Sequence, residues 1–146
     1  MKEAKARNPN VKIAALPWTF PGWVGEGQQS PYTNVTKTAD YVVRWIAGAK
    51  AVHNLTTDYI GVWNERVHNV TYIKTLRAML DSRGFQNVRI ITADCATRYT
   101  SVTDDVFNDL ELRNALYAMG FHYPGTVSLP EAKLTGLQLW ASEDYR

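Results

Sequence analysis

Asp58-Tyr59-Ile60-Gly61-Val62-Trp63-Asn64-Glu65-Arg66 is the stretch from which the fold can be read. Its first six residues are rich in aromatic and β-branched side chains, the composition of a short buried strand. The run then breaks directly into Asn-Glu-Arg. Upstream, residues 38–53 read as a helix, with Tyr41, Val42, Trp45, Ala49 and Val52 recurring at helical spacing. Downstream, Asn69 is placed to cap a helix over about 71–82 that carries Tyr72, Ile73, Leu76, Met79 and Leu80 on one face, and Gly84 stands where such a helix stops.

The same unit repeats outward. Residues 11–16 form a first strand, followed by a Pro/Gly/aromatic loop to about Thr36. Residues 88–92 form a third strand, and Asp104 or Asp105 opens a helix bearing Val106, Leu110 and Leu116. Residues 117–121 and 137–140 complete five strand segments. Strands alternating with helices pair in parallel through right-handed crossovers. Segments entering the strands are plain, whereas those leaving them are rich in chemistry: Pro17-Trp18, Asn64-Glu65-Arg66, Asp94-Cys95, His122-Tyr123-Pro124-Gly125 and Ser142-Glu143-Asp144. Parallel α/β folds place their sites at those carboxyl ends. No glycine-rich phosphate loop follows any strand, so a (β/α)8 barrel is expected rather than a doubly wound nucleotide-binding sheet. Five of eight strand–helix units make it a partial barrel, an internal stretch with strands missing on both sides.

The formal net charge of +2, with 45% hydrophobic and 21% charged residues, suits a globular domain and gives no electrostatic basis for nucleic-acid binding. No apolar run approaches the roughly 18 residues of a transmembrane helix, and the charged start Met1–Arg7 lacks the apolar core of a secretory signal. Cys95 is the single cysteine, which excludes an intramolecular disulfide. Asn34, Asn54 and Asn69 each begin an Asn-X-Thr sequon and are glycosylation candidates.

Glu65 and Glu143 follow two different strands and so face one mouth. Paired carboxyls of this kind suit a retaining glycosidase, in which one protonates the leaving oxygen and the other attacks the anomeric carbon. The alternative is two surface carboxylates in salt bridges. Asn64 could bond a sugar 2-hydroxyl, and Trp18 offers a flat floor for the C–H face of a sugar ring. Trp23 is read as packing the long loop. His122 could orient the nucleophile or meet a substrate hydroxyl, with a structural histidine as the alternative; Tyr123 adjoins it. Asp94 is a secondary site candidate, Cys95 is read as buried or loop-packed, and Asp144 as structural. His53 and His68 are given no role. No His/Cys/Asp cluster has metal-ligand spacing, no G-x-S-x-G elbow occurs, and no cofactor is called for.

Four ordered segments resemble the catalytic barrel of the galactosylceramidases: Leu16-Pro17-Trp18-Thr19-Phe20-Pro21-Gly22-Trp23, Asp58 through Arg66, His122-Tyr123-Pro124-Gly125-Thr126, and Leu139-Trp140-Ala141-Ser142-Glu143-Asp144. The similarity runs through nearly all of the chain. It implies the central to C-terminal part of a glycoside hydrolase (β/α)8 domain over residues 1–146, with Glu65 as acid/base, Glu143 as nucleophile, and Trp18 and Asn64 lining a galactose site. It further implies a lysosomal enzyme that removes galactose from galactosylceramide with retention, accompanied by other domains and a saposin-type lipid-presenting partner. Another retaining β-glycosidase of the same barrel clan, or a non-catalytic truncated product, are the rival expectations.

Overall fold

Asn34 and Asn69 set where the two longest helices begin. In the computed structural model, which describes residues 1–96, 99–123 and 130–144 (backbone alone at 99 and 100), the Asn34 side chain accepts from the Lys37 amide and that of Asn69 from the Tyr72 amide. These caps open α2 (Val35–His53) and α3 (Val70–Ser82), which follow a short N-terminal α1 (Lys2–Arg7). Asn54 closes α2 in the left-handed conformation, and Gly84 takes φ +81 just past α3, as a helix stop requires. All three sequon asparagines therefore serve as helix caps. Replacing Asn69 with alanine should cost about 1 kcal/mol. Chemical denaturation of the variant checks this, with Asn69→Asp expected to keep the cap.

Five strands, β1 (Ala14–Ala15), β2 (Tyr59–Gly61), β3 (Arg89–Cys95), β4 (Leu116–His122) and β5 (Gln138–Glu143), form one sheet. Every pairing is parallel and the spatial order equals the chain order. This is the partial (β/α) barrel anticipated from the alternation. Asp58 fastens the first ladder: its carboxylate accepts from the Ile13 amide at 2.9 Å and from Lys12 at 3.0 Å. Burial pushes the Asp58 carboxyl up, but the Ile13 N–H and the Lys12 ammonium outweigh it and hold the group below the usual carboxylate value.

One side of each strand faces the helices. Ile60, Ile90, Met119 and Phe121 pack with Val43 and Ile46 of α2, Ile73, Leu76 and Leu80 of α3, and Leu112, all buried. The other side carries Tyr59, Tyr117 and Trp140 in mutual ring contact, with the Arg89 guanidinium 4.2 Å from the Tyr117 ring centre.

Three expectations need correction. The buried stripe of α2 is Thr38, Ala39, Val42, Val43 and Ile46, not the Tyr41–Trp45–Val52 face. Trp45 and Val52 are exposed, and Tyr41 and Trp45 flank an open cleft of about 190 Å³ beside β1. The helix expected from Asp104 or Asp105 starts earlier and is broken. It comprises α4 (Tyr99–Asn108) and α5 (Leu110–Ala115), because Asp109 leaves helical geometry to cap the Leu112 amide. Leu116 consequently opens β4 rather than closing a helix. A short α6 (Pro130–Leu134) was not foreseen, being only five residues long.

Candidate active site

Asn64, Glu65 and Tyr123 are each held by a strand-end backbone bond to a neighbouring strand. The Asn64 amide donates to the Pro17 carbonyl at 2.9 Å, the Glu65 amide to the Asp94 carbonyl at 2.9 Å, and the Tyr123 amide to the Glu143 carbonyl at 2.8 Å. The parallel ladders thus continue past the strands proper, and the loops that carry the chemistry inherit the register of the sheet. Glu65 and Tyr123 sit at φ 52 and φ 54. Non-glycine residues in that region are uncommon and concentrate where a side chain must be re-aimed.

The structure brings Glu65, His122 and Glu143 together: one donor or acceptor atom from each lies within 4.8 Å of the others. His122 Nδ1 is 3.1 Å from Glu65 Oε1 and 3.9 Å from Glu143 Oε2, with the imidazole fully buried between two partly exposed carboxylates. Its Nε2 has no hydrogen-bond partner among the described residues. The Tyr123 hydroxyl donates to Glu143 Oε1 at 2.5 Å. The convergence of Glu65 and Glu143 follows the expectation from strand polarity, and His122 lies between them, nearer to Glu65 than to Glu143. The separation also meets the crude spacing of a cation site, but Tyr123 already donates to one of its two carboxylates, a pattern suited to acid–base chemistry.

Asn64 is buried and its Oδ1 lacks a protein donor among the described residues, an acceptor at the rim next to Glu65. Trp18 is 68% exposed at the same rim. Its carbonyl accepts from the Trp63 indole at 3.3 Å, and its side chain helps line a cleft of about 520 Å³ with Thr19, Gln29, Ser30, Trp63 and Arg66. Neither glutamate lines that cleft. Trp63 is wedged edge-on against Phe20 and Tyr32, at 5.9 Å and 5.6 Å, which packs the long loop onto the sheet. Trp23 meets Tyr41 edge-on at 5.6 Å, in keeping with a packing role. Pro124, Gly125 and Thr126 lie outside the described residues. Cys95 is buried. His68, given no role above, pairs with Asp105 at 2.6 Å and ties the loop after Glu65 to α4.

Asp94 carries more than the sequence reading gave it. Its carboxyl is buried, with Gly61 on one neighbouring strand and Gly120 on the other; a Cβ on either would stand within 3 Å of an Asp94 oxygen. The signal was available, since an isolated glycine inside a strand marks a close approach.

A parallel half-barrel with two glutamates at its carboxyl-end rim is the architecture of glycoside hydrolase barrels. This chain belongs to glycosyl hydrolase family 59, whose family model matches residues 1–146. It is 52% identical over 145 residues to the human galactocerebrosidase and 52% identical to that of Danio rerio, in each case over 99% of this chain. A putative galactocerebrosidase of Caenorhabditis elegans is 37% identical. The chain spans about a fifth of these relatives' length, 21% of the human protein. Among solved structures, a GH30 endoxylanase from Clostridium papyrosolvens superposes with a TM-score of 0.70 at 21% identity, over 98% of this chain and 42% of that one. A GH30 xylanase from Clostridium acetobutylicum gives 0.67 at 19% identity. These two likenesses show the fold.

Proposed function

We propose that this chain supplies the acid/base and the nucleophile of a retaining β-galactosidase acting on galactosylceramide, as part of a catalytic barrel completed by further strands. The observation that carries the reading is the convergence of the two carboxylates: one oxygen of Glu65 and one of Glu143 lie within 4.8 Å of each other. Retaining glycosidases hold their two carboxyls about 5–5.5 Å apart, whereas inverting enzymes need roughly 6.5–9.5 Å to admit a water. The galactocerebrosidase relatives supply the sugar and the lipid. A lysosomal site of action, glycosylation at one or more of the three sequons and presentation of the lipid by a saposin-type protein go with this reading.

In this mechanism Glu143 attacks the anomeric carbon, with its geometry fixed by the Tyr123 hydroxyl. Glu65 delivers a proton to the departing ceramide oxygen as its bond to the anomeric carbon breaks. Formation of the glycosyl-enzyme consumes the charge on Glu143. Glu65 then takes a proton from the incoming water, which releases galactose with its configuration retained. Asn64 bonds the sugar 2-hydroxyl, and Trp18 presents its indole face to the ring.

The test is labelling of the full-length polypeptide with a 2-deoxy-2-fluoro-β-galactoside bearing a good leaving group, followed by peptide mapping. The label is expected on Glu143; a label on another residue sinks the assignment. The rival retaining activity on glucosides or xylosides is separated by a panel of aryl glycosides. Tyr123→Phe is expected to lower kcat/KM about 10- to 100-fold, the value of one hydrogen bond to a charged group, while leaving the label on Glu143.

A further inference from the structure

Ala93 and Asp94 both adopt left-handed backbone angles, φ 71 and φ 38, where the β3–β4 register slips between Ala93 and Cys95. A bulge of this kind re-aims a side chain, and two consecutive strained residues persist only when the surroundings enforce them. Here the bulge turns a carboxyl into the sheet interior. Asp94 is 4% exposed although the half-barrel is open on that side. Its oxygens rest over Gly61 and Gly120, and it accepts a hydrogen bond from the Ser142 hydroxyl. Its carbonyl holds the Glu65 amide. A buried carboxyl enclosed by two glycines and a serine has no room to touch a sugar. It does touch both acid-bearing strand ends.

We propose that Asp94 is a positioning residue for the glutamate pair: through Ser142 and the Glu65 amide it fixes the two strand ends, and its carboxyl acts electrostatically on the His122 imidazole that meets Glu65. The inference rests on the catalytic reading of Glu65 and Glu143. The charged groups around Asp94 come from each neighbouring strand: Glu65 beyond β2, His122 on β4 and Glu143 beside Ser142 on β5. Burial pushes the Asp94 carboxyl up, and the Ser142 hydroxyl and His122 offset this only in part. A raised folded-state value has a definite sign. The stability that Asp94 contributes is fully present below its unfolded value, about 3.9, and is lost as pH rises through the higher folded value. An asparagine has no such loss. The melting temperature of the replacement therefore gains on the wild type as pH rises, whatever the role of Asp94. A merely structural aspartate would leave the pH profile of kcat/KM unmoved in its replacement, whereas a positioning residue moves it.

The experiment compares Asp94→Asn and Ser142→Ala with wild type in the full-length polypeptide, on aryl β-galactosides of graded leaving ability. Removing a negative charge weakens the hold on a neighbouring proton. The alkaline limb of kcat/KM is therefore expected to move to lower pH by about one unit in Asp94→Asn. kcat on poor leaving groups should fall about 10-fold with KM nearly unchanged. Ser142→Ala disfavours the ionised Asp94 and should move the limb in the same direction by less. The melting temperature of Asp94→Asn relative to wild type should increase from about pH 4 to about pH 7. Where Asp94→Asn does not fold, Ser142→Ala decides. A Glu143 that the fluorinated galactoside labels in wild type, together with an unmoved limb in the folded variant, overturns the role of Asp94 alone. A wild type that is never labelled at Glu143 overturns the underlying chemistry.

Discussion

Glutamine in place of Glu143 should abolish turnover in the full-length polypeptide, by at least about 10⁴-fold on every galactoside regardless of leaving group. The reason lies in bond formation. The amide is neutral and cannot attack an anomeric carbon, so no covalent intermediate accumulates even with an activated fluorogalactoside. The substitution is nearly isosteric, and the Tyr123 hydroxyl can still donate to the amide oxygen. The melting temperature is therefore expected to stay close to wild type. Intact-mass spectrometry after exposure to the fluorogalactoside is the decisive measurement. Any adduct on the glutamine variant, or burst kinetics with a dinitrophenyl galactoside, would remove Glu143 from the nucleophile's role.

Glu65→Gln should act differently. Loss of a positioned general acid typically costs about 10²- to 10⁴-fold, but only where the leaving oxygen needs a proton. Galactosylceramide and alkyl galactosides should suffer that full loss. A dinitrophenyl galactoside, whose phenolate departs unaided, should still glycosylate Glu143 at close to the wild-type rate and then stall, because the base that activates water is gone. Azide, which needs no deprotonation, should release the stalled enzyme as the β-galactosyl azide. Equal losses for both glutamine variants on the activated substrate would mean that the roles have been assigned wrongly.

The legibility of this chain follows from which features are local. The strand at Asp58–Trp63, the caps at Asn34 and Asn69 and the stop at Gly84 depend on a few adjacent residues, and each could be read directly. The rim position of Glu65 and Glu143 followed from strand polarity alone. What failed was anything set by neighbours. The α2 face was misread because Tyr41, Trp45 and Val52 continue from Val42 as good an apolar stripe as Ala39, Val43 and Ile46 do. Only packing against β2 and α3 selects the latter. The α4–α5 break turns on Asp109 preferring a cap to a helical interior, a choice decided by the Leu112 amide and the Lys74 ammonium at 2.7 Å. The contacts among His122, Glu65, Tyr123 and Glu143 span three strands, so no spacing along the chain encodes them. Gly61 and Gly120 were the exception: read as gaps, they would have pointed to Asp94.

The backbone bonds that extend the ladders past Asn64, Glu65 and Tyr123 have a geometric corollary. The spacing of the two glutamates is written into consecutive neighbours, β1 through β5, each strand end bonded to the next. A change confined to staves outside this run would therefore leave the separation of the two reacting acids as it stands here.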